Sequence, residues 1–186
     1  MLHFPPISSW DALHPLIIHM PIGLLLFAPV FIIIGALLKP ERGRPYLIAA
    51  LIAMLLGTAS VFVAVQTGEA AGKLAERTPE IKAVLEHHEN LAEATQVGFS
   101  VLTVIFAAIL YVPRLLRRAS NRMAVTVLPL IFLMFYGAGM LLLANTAHNG
   151  GRLVHEFGVR AMVAPYRCPR TRQVKIVTSP LQPLEP

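Results

Sequence analysis

Four long apolar runs alternate with short polar segments along the chain. The first spans Pro15–Leu38, about 24 residues, which as a helix rises roughly 36 Å and crosses a ~30 Å hydrocarbon core with some tilt. Pro15 and Pro21 lie near its start, where a missing backbone N–H costs least. Pro29 lies mid-span and predicts a kink that neighbouring helices accommodate. After the basic turn Lys39–Pro45, a second helix is expected over Tyr46–Gln66, ended by Thr67-Gly68. Within it Gly57, Ala59 and Ser60 form a small-residue patch suited to close helix packing or to a flat ligand. Residues 69–78 are polar.

Thr78-Pro79-Glu80 then reads as an N-cap followed by proline at the first helical position. The helix it opens runs unbroken to Val112, about 34 residues and roughly 50 Å. That exceeds the bilayer, so its first turns, with Glu80, Lys82, Glu86, Glu89 and Glu93, are expected in water. His87 and His88 stand where this polar lead-in turns apolar. A second basic turn, Pro113–Arg122, precedes a fourth helix over Met123–His148, ended by Asn149-Gly150-Gly151. Gly137 and Gly139 make a second small patch within it. Arg152–Val159 reads as a short amphipathic piece returning along the surface. Residues 1–13 are amphipathic, with Trp10 suited to an interfacial anchor.

The predicted architecture is all-α: an integral membrane up-down-up-down four-helix bundle over residues 1–162. A proline-rich extended C-terminal arm follows over 163–186, where Pro165, Pro169, Pro180, Pro183 and Pro186 leave no core of its own. Composition agrees, with 55% hydrophobic and only 14% charged residues, against about a quarter charged in soluble domains. The net charge of +6 sits in loops flanking apolar segments, a topology signal rather than a nucleic-acid footprint. The N-terminus lacks the Lys or Arg of a cleavable signal peptide. Both one-turn connections are basic, carrying Lys39, Arg42 and Arg44, and Arg114, Arg117, Arg118 and Arg122. The positive-inside rule therefore places them in the cytoplasm with both termini facing outward, which in a bacterial inner membrane is the periplasmic side. The arm, with Arg160, Arg167, Arg170, Arg172 and Lys175, opposes this, but short loops weigh more than a long tail.

This topology gathers six of the seven histidines at one end of the bundle: His14, His19, His87, His88, His148 and His155. His3 can join them. Any one of them reads as a wet interfacial side chain. Six at one end, reached from three helices, read equally well as a shared site. Haem b needs two imidazoles from facing helices with a flat apolar slot between them. His19, set among Ile17, Ile18, Met20 and Ile22, pairs best with His88, whose face carries Leu91, Ala92 and Thr95. His14 with His148 or His155 could hold a second haem or contact propionates, and Arg152 is a bidentate propionate partner. A bare metal is the rival. Zinc could draw on His14, His19, His88, His148 and the glutamates, though the His-Glu-x-x-His grouping is missing. Copper could use histidine with Met20 and Cys168. That single cysteine excludes an internal disulfide and a thiolate-rich metal site, and no Cys-x-x-Cys-His is present for covalent haem. No Ser/His/Asp set, phosphate loop or carboxylate pair stands out for catalysis. Apart from His and Asn145 the spans hold no polar relay of the kind a transporter needs.

Residues His14-Pro…His19-x-Pro21, Gly68 after the second helix, the early histidine of the third, and Gly150-Gly-Arg-Leu-Val-His-Glu-Phe-Gly-Val159 together resemble a bacterial family of small four-helix membrane proteins, domain of unknown function 2231. The resemblance covers about residues 12–162. It implies a redox setting, since relatives are sometimes fused to or encoded beside cytochrome c or iron–sulfur modules. Many relatives have Tyr where this chain has His155 and His where it has Phe157, which counts against His155 as a ligand. The resulting expectation is a b-type haem electron-transfer subunit that passes electrons between a redox partner (cytochrome c or an iron–sulfur protein) and quinone or a further haem. The alternatives are a haem-free structural or anchoring subunit and a histidine-rich metal-handling protein.

Overall fold

A computed structural model describes residues 10–75, 78–115 and 126–159. A 3-10 turn, Asp11–Leu13, leads into α1 (His14–Ile17) and α2 (His19–Leu37), followed by α3 (Pro40–Gly72), α4 (Pro79–Leu115) and α5 (Leu128–His155). No strand occurs among the described residues. The division between α1 and α2 follows from Pro21, which has no N–H for the Ile17 carbonyl, so helical bonding loosens at Ile18. His14 thereby sits in its own short turn. The expected cap of α4 is present, with the Ile81 N–H donating to Thr78 Oγ1 at 3.3 Å. The predicted arm over 163–186 and the Met123 start of the last helix lie outside the described residues.

Several helix ends differ from expectation. Lys39–Pro45 is largely the first turns of α3, so only Leu38 and Lys39 connect α2 to it. The hairpin is tight because Gly35 and Gly43 meet backbone to backbone: a Cβ on Gly43 would collide with the Gly35 carbonyl oxygen. At the other end α3 continues past Thr67-Gly68 to Gly72, and α5 continues through Asn149-Gly150-Gly151 to His155. A helical glycine costs only about 1 kcal/mol relative to alanine, and packing outweighs that here. Arg152–His155 is consequently the last turn of α5 and not a separate surface piece. The chain leaves it through Gly158 at φ 67°, where the Val159 N–H donates to the Leu153 carbonyl at 2.9 Å.

The four long helices pack in a closed ring, α2 on α3, α3 on α4, α4 on α5 and α5 on α2. Short connections between touching neighbours make this an up-down-up-down bundle. Leu25, Ala28 and Ile32 of α2 meet Ala50 and Met54 of α3, Phe99 and Phe106 of α4, and Phe132 and Tyr136 of α5 in one core. Phe99 stands edge-on to Tyr136 with ring centroids 5.6 Å apart, a favourable quadrupole arrangement. Outward the helices show Phe27, Ile52, Leu56, Val104, Met134 and Phe135. Large apolar side chains on the outside of every helix are what a hydrocarbon solvent requires, and all four helices are long and apolar enough to cross a membrane.

Polar groups inside the ring are matched in pairs. Pro29 deprives the Leu25 carbonyl of its helical donor, and the buried Tyr136 hydroxyl replaces it at 2.7 Å. Thr58 and Thr103 join α3 to α4 at 2.9 Å. Thr95 and Thr146 join α4 to α5 at 2.8 Å. Among the described residues no buried side-chain nitrogen or oxygen lacks a partner.

Candidate functional site

Two histidines are drawn into the bundle, and both are built the same way. His14 of α1 leans on α3, with Nδ1 3.0 Å from the Ala64 carbonyl. His88 of α4 leans on α5, with Nδ1 3.0 Å from the Thr146 carbonyl. In each case the residue four positions after the acceptor is a glycine against which the ring lies. A Cβ on Gly68 would stand 2.9 Å from His14 Cε1, and one on Gly150 would stand 3.0 Å from His88 Cε1. Four residues is about one helical turn, so carbonyl and glycine form one notch on the partner helix. The chain thus repeats a unit, histidine on one helix of a hairpin and carbonyl-plus-glycine notch on the other, once in each half.

A backbone carbonyl only accepts, so Nδ1 must carry the proton in both rings. In the neutral imidazole the lone pair then resides on Nε2. No partner of either Nε2 occurs among the described residues. Each half of the bundle therefore presents one oriented imidazole lone pair at the same end. This is the donor geometry of a metal-ligating histidine, whose second nitrogen is fixed by a carbonyl and so cannot rotate or change tautomer freely.

The other residues singled out from the sequence are placed differently. His19, His87, His148 and His155 are exposed, as is Met20. Five residues separate His14 from His19, a turn of about 140° net around a helix, so the two do not share a face. Arg152 donates from Nε to Glu156 at 2.9 Å, a partly exposed i, i+4 pair. Asn145 is exposed and donates to the Leu141 carbonyl of its own helix. Among the described residues no three of His, Cys, Asp and Glu converge as metal ligands. His3 and Cys168 lie outside the described residues. From the sequence, Ala64 and Thr146 were passed over, and Thr67-Gly68 and Asn149-Gly150-Gly151 were taken for helix ends. The recurring signal was a glycine one turn beyond a small residue on the helix that follows a histidine-bearing one.

Fold and surface together define a multi-pass α-helical membrane protein whose outer face contacts lipid. The chain belongs to the family described as Predicted membrane protein (DUF2231), whose model matches residues 10–162. That range contains all four spans and both histidine units. Neither the curated proteins nor the solved structures contain a match.

Proposed function

We propose that the protein is a membrane electron-transfer subunit whose four helices hold a b-type haem between His14 and His88. The observation that carries the reading is the matched anchoring of the two Nδ1 atoms, at 3.0 Å each, on carbonyls of neighbouring helices. It leaves two Nε2 lone pairs, one from each hairpin, which would hold the iron. Anchoring keeps each ring from rotating and raises its basicity toward iron. A haem held there would supply a one-electron iron couple, so the protein need make or break no substrate bond. The redox partner would dock at the histidine end, which would face the periplasm if the basic connections follow the positive-inside rule in an inner membrane. Cytochrome c, an iron–sulfur protein or quinone fits this role chemically.

The competing reading is a haem-free anchoring subunit in which each imidazole is only a staple between helices. The close seating of each ring on its glycine favours it, because a staple needs that fit and no ligand. The two readings separate on haem stoichiometry. The pyridine haemochrome assay on protein purified from a haem-replete host should give at least one haem per chain. His14→Ala and His88→Ala should each lose most of it, while His19→Ala should keep it. Haem-free wild-type protein, or full occupancy in both of the first two variants, would contradict the proposal.

A further inference from the structure

The two histidine units are alike in their carbonyl and glycine and differ in one hydroxyl. On α3, Thr67 stands three residues after the acceptor Ala64 and is fully buried. Its Oγ1 lies 3.0 Å from both the Val63 and Ala64 carbonyls, so its proton is committed to its own helix. The oxygen's free lone pair then faces His14, with Nδ1 at 3.1 Å. The His14 N–H is therefore shared between two acceptors, the Ala64 carbonyl and the Thr67 hydroxyl.

On α5 the position three residues after the acceptor Thr146 is Asn149. Its Nδ2 donates to the Asn145 carbonyl of its own helix at 2.9 Å. The threonine of this unit is the acceptor residue itself, and its hydroxyl is used against α4 rather than on the ring. Thr146 Oγ1 lies 2.8 Å from Thr95 Oγ1 and donates toward the Leu91 and Leu142 carbonyls at 3.1 and 2.9 Å. His88 accordingly has one acceptor where His14 has two.

We infer that Thr67 is a positioning residue for His14, and that the shared N–H makes His14 the more basic and more firmly held of the two imidazoles. The consequence for an iron potential rests on the haem reading above; the hold on the ring does not. More acceptor strength on Nδ1–H pushes electron density toward Nε2, which favours a ligated metal's oxidised form. Thr67 contributes this through the Nδ1–H at the ring's edge, without touching the ligand.

The test compares wild type, Thr67→Val, Thr67→Ser and Thr146→Val as full chains in detergent micelles. In ligand-free, ring-15N-labelled protein, Thr67→Val should speed solvent exchange of the His14 Nδ1–H roughly 2- to 10-fold, the range for loss of one neutral hydrogen bond. Exchange at His88 should not change, and Thr67→Ser, which keeps the hydroxyl, should restore the wild-type rate. Thr146→Val should leave His14 unchanged. In haem-loaded protein the midpoint potential of Thr67→Val should rise, by up to about 59 mV for a tenfold change in a one-electron couple, and Thr67→Ser should match wild type. Unchanged exchange at His14, or equal acceleration at His88, would overturn the positioning role. Faster exchange with an unmoved potential in haem-loaded protein would overturn the tuning. A wild type that takes up no haem would refute the haem reading, and the exchange comparison would still decide what Thr67 does.

Discussion

Replacing Gly68 by alanine tests the histidine units at their tightest point. A helical Gly→Ala change normally stabilises by about 1 kcal/mol, because alanine loses less backbone entropy. At Gly68 the new methyl carbon would lie 2.9 Å from His14 Cε1 and 3.3 Å from its Nδ1. Non-bonded carbons settle at about 3.5–4.0 Å, so the ring must retreat by roughly 0.5–1 Å. A retreat of that size stretches the 3.0 Å contact from Nδ1 to the Ala64 carbonyl past hydrogen-bonding range. Overpacking costs about 1–3 kcal/mol, and the lost bond adds about 0.5–1.5 kcal/mol. After the alanine gain is subtracted, Gly68→Ala should destabilise by roughly 0.5–3.5 kcal/mol. Gly150→Ala should behave alike, since its methyl would meet His88 Cε1 at 3.0 Å. Gly137→Ala is the control: it sits on the exposed side of α5 with nothing within 4 Å, and should be neutral or stabilising. Loss of helical circular dichroism on titration with denaturing detergent ranks the three against wild type. Should Gly68→Ala and Gly150→Ala prove as stable as Gly137→Ala, the rings are not seated in glycine notches.

Tyr136→Phe should cost about 1–3 kcal/mol, the range for stranding a buried acceptor, because the Leu25 carbonyl then has neither a helical donor nor the hydroxyl. In a Pro29→Ala background, which returns an N–H to that carbonyl, the same change should cost less; a double-mutant cycle with no coupling would count against the pairing. Thr78→Ala should lower stability by about 1 kcal/mol through loss of the α4 cap, read in the same detergent titration. An effect indistinguishable from zero would mean that water serves the Ile81 N–H equally well.

The helices themselves were legible because lipid imposes a simple rule: long apolar runs must bond their backbone internally. Their ends were not. Gly68 and Gly150 looked like terminators, but tertiary packing overrides a penalty of about 1 kcal/mol, and both glycines serve a neighbouring ring instead. The gathering of histidines at one end followed from topology alone. Which of them turn inward depended on helix phase, and a proline-loosened junction at Ile18 hides that phase. His14 is held by α3 while His19, five residues on, is exposed. Arg152 was read as a propionate partner, while its i, i+4 neighbour Glu156, visible in the same sequence, accepts from its guanidinium. The carbonyl acceptors at Ala64 and Thr146 could not be read from residue type, since every residue offers one.

The reduced-minus-oxidised absorbance spectrum of the purified protein probes the central claim most directly, taken alongside His14→Ala, His88→Ala and His19→Ala. Paired lone pairs on a common ligand predict the sharp α-band of a low-spin b-type haem in wild type and His19→Ala, lost or displaced in each of the other two. A featureless wild-type spectrum, or an α-band that survives unchanged without His14 and without His88, would contradict it.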